Sequence, residues 1–377
     1  MAVPRQPRIT LRAVADAAGV STSTASLAFS GKGPVAPETV ERVLAAAAEL
    51  GYAGPDPLAS SLRQGRSGVV GVVVEGRLGH AFRDPFAVSV LDGLSQVLDE
   101  VPAGMLLIAQ PAGDPDRAIA HLGSAALDAV VFSLCGPDTN PAVDHLAARG
   151  IPMIGDGAPA DPRVVNLSLD NRGAGAEVAR LVRDLGHRRV AHLLMPLGPD
   201  AVTGPTTLAD VDHAVFVDTR DRALGFADVF GPDMPLVQTA LPDVEQAALA
   251  VRPLLALPEG QRPTAVVAQS DLLALGVVRA AGDLGLRVPQ DLSVTGFDGV
   301  DLPWFDGVLT TVDQQGEAKG RRLGAMVRAL LDDRQPEAAV HPTTLRVGTT
   351  TAPPPDASRR PPGSSRAPRL LDGLSAP

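Results

Sequence analysis

Near the start of the chain the stretch STSTASLAFSGKG, Ser21 to Gly33, presents hydroxyl groups at Ser21, Thr22, Ser23, Thr24, Ser26 and Ser30. Hydroxyls both donate and accept, so they can bond base edges or phosphates, and a Thr methyl or Leu27 suits a thymine methyl. The stretch has no Arg, Asn or Gln, the side chains that read guanine and adenine in bidentate fashion, and its one cation is Lys32. Two readings of Leu27 follow: a base contact, or a core residue of a small helical domain. Other short segments imitate chemistry without completing it. GAGAEVA from Gly173 looks like a dinucleotide loop, but Val178 stands at its third Gly/Ala position and no suitable acidic residue follows. His187 and His192 are five apart, which places them on different faces of a helix, and no Cys or matching acidic ligand accompanies them. Cys135 ends an apolar run and reads as buried. No triad or paired-acid motif is present, so no catalytic residue, no metal site and no cofactor are expected.

The elements around the hydroxyl-rich stretch read as three short helices. Thr10 can cap the first, with Leu11, Val14, Ala15 and Ala18 on one face. Gly19 breaks it, Ser21 can cap the second, and Pro37 opens a third with Val40, Val43, Leu44, Ala47 and Leu50 as its apolar stripe. Three short helices with a Gly turn between the first two describe the helix-turn-helix class. The segment PDPLASSLR follows, a short helix from Leu58 that is too brief to stand alone in water. From Val69 onward short apolar strands alternate with helices in two successive series, which predicts two α/β subdomains with parallel sheets covered on both faces. Residues 196–219, rich in Gly, Pro and Asp, read as a long mobile loop, and the Pro-rich end from 351 as a disordered tail.

Composition narrows the class. The chain of 377 residues carries a formal net charge of −10, yet residues 1–66 hold seven Arg/Lys against five Asp/Glu. A mildly basic front on an acidic body fits a local nucleic-acid contact rather than wholesale coating. One Cys excludes an intrachain disulfide, MAVPRQPR lacks an apolar signal core, and runs such as VVGVVV are too short to span a bilayer. A soluble cytoplasmic protein without a membrane partner is expected. Lysine is nearly absent: Lys32 and Lys319 are the only two.

The segment ITLRAVADAAGVSTSTASLAFSGKGPVAPETVERVLAAAAELGY, the following PDPLASSLR, the later PTAVVAQSDLLALGVVRAAGDLGLRVPQDLSVTGFDG and GVLTTV occur in the order seen in the LacI/GalR family of bacterial transcription regulators, which the chain resembles from about Ile9 to Val347. The resemblance implies a periplasmic-binding-protein-like core that binds a small effector, by expectation a carbohydrate. It also implies a homodimer or tetramer on near-palindromic double-stranded operator DNA, with repression as the expected role. Under it Thr22, Ser23 and Leu27 face base edges. Thr10, Ser21, Thr24, Ser26, Ser30 and Lys32 serve phosphates or local backbone. Leu62 wedges into a minor-groove step while Leu58 packs on the partner's hinge. In the core, Asp271 matches the cleft carboxylate, Arg222 the cleft arginine and Phe86 the apolar wall. The sequence departs from the family at Ser270, where Asn is usual, at Gly299, and by one extra residue in GYAGPDPL. The competing readings are a solute-binding protein with the same core, which has no use for residues 10–63, and an α/β enzyme, against which the absence of a catalytic constellation argues.

The expected organisation is a disordered arm over 1–8, a helix-turn-helix domain over 9–54, a hinge and linker over 55–67, and a core over 68–350. Within the core, residues 68–169 and 299–327 are assigned to the first subdomain, and 170–298 and 328–350 to the second. If Leu62 acts as the wedge, Leu62→Ala weakens binding to a specific operator by at least tenfold more than binding to random duplex. Equal losses on both DNAs in a gel-shift titration would remove that role.

Overall fold

The computed structural model describes residues 9–31, 33–54, 66–111, 115–134, 136–303 and 305–355. They form two compact units, one N-terminal and one made almost entirely of residues from Val70 onward.

The N-terminal unit is built from α1 (Leu11–Ala18), α2 (Thr22–Ser30) and α3 (Pro37–Leu50). Thr10 caps α1 by accepting from the Ala13 amide, and Ser21 caps α2 by accepting from the Thr24 amide. Gly19, Gly31 and Gly51 end the helices in the left-handed conformation. The core is small: Val14, Ala15, Ala18, Ala25, Ala28, Val43, Ala46 and Ala47 are buried together. Phe29 meets Tyr52 edge to face at 5.4 Å and closes one end.

The second unit contains two parallel-dominated sheets. The first comprises β1 (Val69–Glu75), β2 (Gly104–Gln110), β3 (Ala129–Ser133), β4 (Met153–Gly155), β5 (Val164–Ser168) and β12 (Ala339–Val340), in the order β12-β5-β4-β3-β1-β2. The second comprises β6 (Val190–Leu194), β7 (Gly204–Thr206), β8 (Leu236–Gln238), β9 (Ala265–Ala268), β10 (Ser293–Asp298), β11 (Thr310–Asp313) and β13 (Thr344–Arg346), in the order β13-β11-β10-β9-β6-β8-β7. The inner strands are apolar on both faces because helices cover both; all five residues of β3 and of β6 are buried. The helices are α4 (Leu78–Ala81), α5 (Pro85–Leu98), α6 (Pro115–Ser124), α7 (Ala142–Ala148), α8 (Asn171–Asp184), α9 (Leu208–Asp212), α10 (Val217–Phe230), α11 (Val244–Leu255), α12 (Asp271–Asp283) and α13 (Gly316–Leu331).

The chain passes between the two sheets after β5, after β11 and after β12. The expected subdomain boundaries are corrected here. β11 pairs with β10, Thr295 opposite Thr310, so residues near 310 belong to the second sheet rather than the first. The whole of α13 packs on α5, and β12 pairs with β5, so the first subdomain continues past 327 to Val340. An apolar run such as LTTV does not encode its partner strand; only the non-local pairing decides it. The expected loop at 196–219 is likewise corrected. It contains β7, an antiparallel edge strand, and α9, whose Thr207 and Asp210 form a reciprocal capping box. The start of the expected tail is also ordered: Ala352 O accepts from His187 Nε2 and Ser293 Oγ. Residues 1–8, 55–65 and 356–377 lie outside the described residues, and with them the expected arm, the hinge helix and most of the tail.

Two helix pairs set the geometry near the cleft. On α13, Gly320 lies against Val90 of α5; an added Cβ would sit 2.0 Å from the Val90 carbonyl. On α10, Gly225 lies against α8, and an added Cβ would sit 2.1 Å from the Arg172 carbonyl. Both contacts are with backbone, which cannot yield without separating the helices. Gly225→Ala is therefore expected to destabilise the core by about 1–3 kcal/mol. Urea denaturation measures it, and an unchanged midpoint would show that the two helices do not need this approach.

Candidate functional site: a hydroxyl-faced helix and a polar cleft

In the N-terminal unit α2 divides cleanly. Ala25 and Ala28 are buried and Phe29 is half-buried, while Thr22, Ser23, Leu27 and Ser30 are exposed and Thr24 and Ser26 half-buried. Leu27 is 37% exposed, so it is not a core residue of this unit. The hydroxyls are partly committed to one another: Ser21 Oγ lies 2.8 Å from both Ser23 Oγ and Thr24 Oγ1. The Ser30 hydroxyl donates to the Leu27 carbonyl. Thr10 and Ser21 act as caps, and Thr22 and Leu27 remain the outward groups with the fewest internal ties. Lys32, Leu58 and Leu62 lie outside the described residues.

The core cleft sits where the chain crosses between its sheets. Its lining combines Asp156 and Lys319 from the first subdomain with Asn171, Asp218, Asp221 and Arg222 from the second, and Gln314 of the β11–α13 crossing. Asp156 follows the carboxyl end of β4, the place where open parallel sheets bind ligands. Lys319, in the first turns of α13, reaches it: Nζ lies 2.6 Å from Asp156 Oδ1, and each side chain is only 1% exposed. Lys319 also sits 5.5 Å from the centre of the Phe86 ring. Apart from this ion pair neither oxygen of Asp156 has a hydrogen-bond partner among the described residues. The crossing segments are tied together beside the pair. The His341 amide donates to Ser168 O, and His341 Nε2 donates to Gln314 O. Burial and the nearby Lys319 charge both hold His341 below the usual histidine range.

Across the cleft Arg222 is buried and oriented. Nε donates to Asn171 Oδ1 at 2.9 Å, Nη1 donates to Gln269 O at 2.8 Å, and the guanidinium carbon lies 3.7 Å above the Phe297 ring. The neighbouring Arg220 bridges the subdomains, with Nη1 3.1 Å from Asp138 and Nε 3.3 Å from Asp221. Pro137 and Phe216 form an isolated antiparallel bridge on the same side.

Of the three core residues singled out from the sequence, Arg222 lines this cleft. Phe86 is buried beneath Lys319 and borders a separate groove with Ser89 and Asp298. Asp271 is corrected: it is 0% exposed and its carboxylate is fully occupied inside the second subdomain. Oδ1 accepts from the Thr311 hydroxyl, and Oδ2 accepts from the Gly299 and Val300 amides. Burial pushes its carboxyl up to about 6 against the pull of those three donors. Ser270, not Asp271, is the N-cap of α12. Asp271 instead ties the end of β10 to α12 and β11. Its amide donates to Asp298, a buried residue at φ 135 whose carboxyl is raised by burial and by Asp271 and Asp84. Sequence reasoning missed Asp156, Lys319 and Asp218. One signal was available for Lys319, since it is one of two lysines in an arginine-rich chain. GAGAEVA lies within α8; Gly175 packs against the Arg222 backbone of α10, and Gly173 lies against the capping Asp170 side chain, so the glycines serve the helix and its packing.

The N-terminal residues 10–54 match the profile of bacterial regulatory proteins of the lacI family, and residues 179–351 match the periplasmic binding protein-like domain. An HTH-type transcriptional regulator of Mycolicibacterium smegmatis is 34% identical over 93% of this chain and 100% of that protein. The chain belongs to the lacI family. The HTH-type transcriptional regulator IpsA of Corynebacterium glutamicum is 32% identical, with 91% of this chain and 98% of that one covered. Among solved structures, a LacI-family regulator from Corynebacterium glutamicum superposes with a TM-score of 0.68 at 28% identity, covering 92% of this chain and 100% of that one. A complex of the regulator CelR with cellobiose superposes with a TM-score of 0.62 at 26% identity, covering 91% and 100%. This lacI-family protein is a DNA-binding transcriptional regulator of helix-turn-helix type rather than an enzyme. No described helix is long and apolar enough to cross a membrane.

Asp271→Ala would leave the buried Thr311 hydroxyl and the half-buried Gly299 and Val300 amides without this acceptor, at a cost of about 1–3 kcal/mol or more. Thermal denaturation is expected to show a large loss of Tm. A variant of wild-type stability that had lost only its response to a small molecule would restore the effector role.

Proposed function

We propose that this regulator is a repressor that binds a near-palindromic operator as a dimer and is controlled by a small polyhydroxylated effector held in the cleft between the core subdomains. The carrying observation is the convergence of Asp156 and Lys319 from one subdomain with Asp218, Asp221 and Arg222 from the other around one cleft. A ligand that bonds both sides at once has different affinities for different closures, which is all that allosteric control requires. The carboxylates and the oriented guanidinium offer fixed acceptors and donors to hydroxyl groups, and CelR, a relative in fold, is solved with cellobiose bound. Effector-dependent closure then changes how the hinge segment over 55–65 meets the operator. Two-fold symmetry of the dimer supplies the reason for a near-palindromic site.

On the DNA side, Thr22, Ser23 and Leu27 read base edges from the exposed face of α2, with Thr10, Ser21, Thr24, Ser26, Ser30 and Lys32 serving phosphates and local backbone. Leu27 contributes an apolar contact that suits a thymine methyl. Selection of operators from random duplex, run on the wild type and on Leu27→Arg, tests this directly. The variant is expected to move the preferred base at one position per half-site toward guanine, with discrimination there of about 1–3 kcal/mol. An unchanged consensus would take Leu27 out of the readout. Screening sugars and other polyols for release of the selected operator then tests the effector; release by none of them would overturn that half of the proposal.

A further inference from the structure

The carboxyl ends of the first sheet serve the cleft, and its amino ends serve a different task. There Asp128, the residue before β3, receives the chain that arrives from the hinge segment. Its Oδ1 accepts from the Ser67 amide at 2.7 Å and from the Ser67 hydroxyl at 2.9 Å, and its Oδ2 accepts from the Gly68 amide at 2.7 Å. Bonds to an ionised carboxylate are shorter and stronger than neutral ones. The Ser67 hydroxyl also accepts from the Val69 amide, and the Asp128 amide donates to Val69 O. Gly68 takes a left-handed φ of 70, which favours glycine.

Entry into a sheet does not require such a grip. The two sheets offer a matched comparison. β1 pairs with β3 in the register Val70 opposite Ala129, and β6 pairs with β9 as Val190 opposite Ala265. Asp128 and Thr264 therefore hold equivalent places. The main-chain bond recurs, with the Thr264 amide donating to Arg189 O. The side-chain grip does not. The Thr264 hydroxyl bonds His187 Nδ1 and Arg189 O, and among the described residues no main-chain amide donates to it. What differs is the chain that arrives. β6 is fed by α8, already packed on α10, whereas β1 is fed by the hinge segment.

The length of chain that Asp128 holds indicates what the grip achieves. With the carboxylate in place the chain is fixed from Ser67 onward. Without it the first residue still held is Val69, through its carbonyl. Ser67 and Gly68 are then released, about 7 Å of chain at full extension. One base pair added between two half-sites moves them apart by about 3.4 Å. The released length exceeds that step.

We propose that Asp128 is a positioning residue for operator binding: by gripping Ser67 and Gly68 it fixes the point from which the hinge segment departs, and so limits the half-site spacings that a dimer accepts. This rests on the reading of a dimer on paired half-sites given above.

The test uses the full chain, an operator selected from random duplex by the wild type, and the same operator with one base pair added or removed at its centre. The variant is Asp128→Thr, which installs the residue that the second sheet carries at the equivalent place. Wild type is expected to bind the selected operator about tenfold or more tighter than either altered spacing. In Asp128→Thr that ratio should fall to about threefold or less, with binding to random duplex within about twofold of wild type. Its thermal unfolding should stay close to that of the wild type. A folded Asp128→Thr that keeps the wild-type ratio overturns the proposal. So does an equal loss on all three operators and on random duplex, which marks a structural role alone. Wild type binding all three spacings alike overturns the paired half-site reading, and the proposal with it. If Asp128→Thr does not fold, Ser67→Ala, which removes only the hydroxyl, takes its place. A ratio below that of wild type is then expected, and an unchanged ratio overturns the proposal.

Discussion

The core depends on one constraint: a single chain builds two sheets and passes between them after β5, β11 and β12. Gln314 and His341 sit on these passages and bond to one another and to the strand ends beside them. The subdomains therefore share a common floor, and the side chains that rise from it come from both. Next to that floor lies the Lys319–Asp156 pair, fully removed from water. A buried ion pair is weak evidence for stability, because desolvation offsets most of the attraction. The second oxygen of Asp156 has no hydrogen-bond partner among the described residues, which is a further cost unless something else arrives to bond it. A ligand hydroxyl meets that requirement, and a site of this kind gains most when both walls approach.

The N-terminal unit solves a different problem with the same economy of side chains. Ala25 and Ala28 let α2 pack closely on its neighbours, which leaves its other face to hydroxyl groups and Leu27. Several of those hydroxyls are used first to hold the helix: Ser21 caps it, and Ser23 and Thr24 hydrogen-bond to that cap. Such a helix carries few strong readers, and the proposed dimer on paired half-sites would share the discrimination through DNA geometry.

Much of this was legible in the sequence. Capping residues and Gly stops placed α1 and α2 within a residue, and apolar runs placed the inner strands, because both signals are local. What lay between sequence-local signals was less legible. The Gly/Pro-rich run at 196–219 hid β7 and α9, since a three-residue edge strand and a five-residue helix leave almost no periodicity. Which sheet β11 and β12 join depends on partners far along the chain. The site divided in the same way. Arg222, singled out because its segment resembles a family motif, lines the cleft, whereas Asp271, singled out on the same ground, turns inward to three donors. Asp156 and Lys319 are 163 positions apart and meet only in the fold.

The central claim is that the cleft around Asp156 and Lys319 governs DNA binding. The double variant Asp156→Asn with Lys319→Met replaces the ion pair by neutral groups of similar size, a change that buried pairs often tolerate. The measurement is its operator affinity with and without a polyol that releases the wild-type protein. We expect the variant to fold and bind the operator within a few-fold of wild type, and to lose at least tenfold in sensitivity to the polyol. A folded variant that releases at the wild-type concentration would contradict the claim.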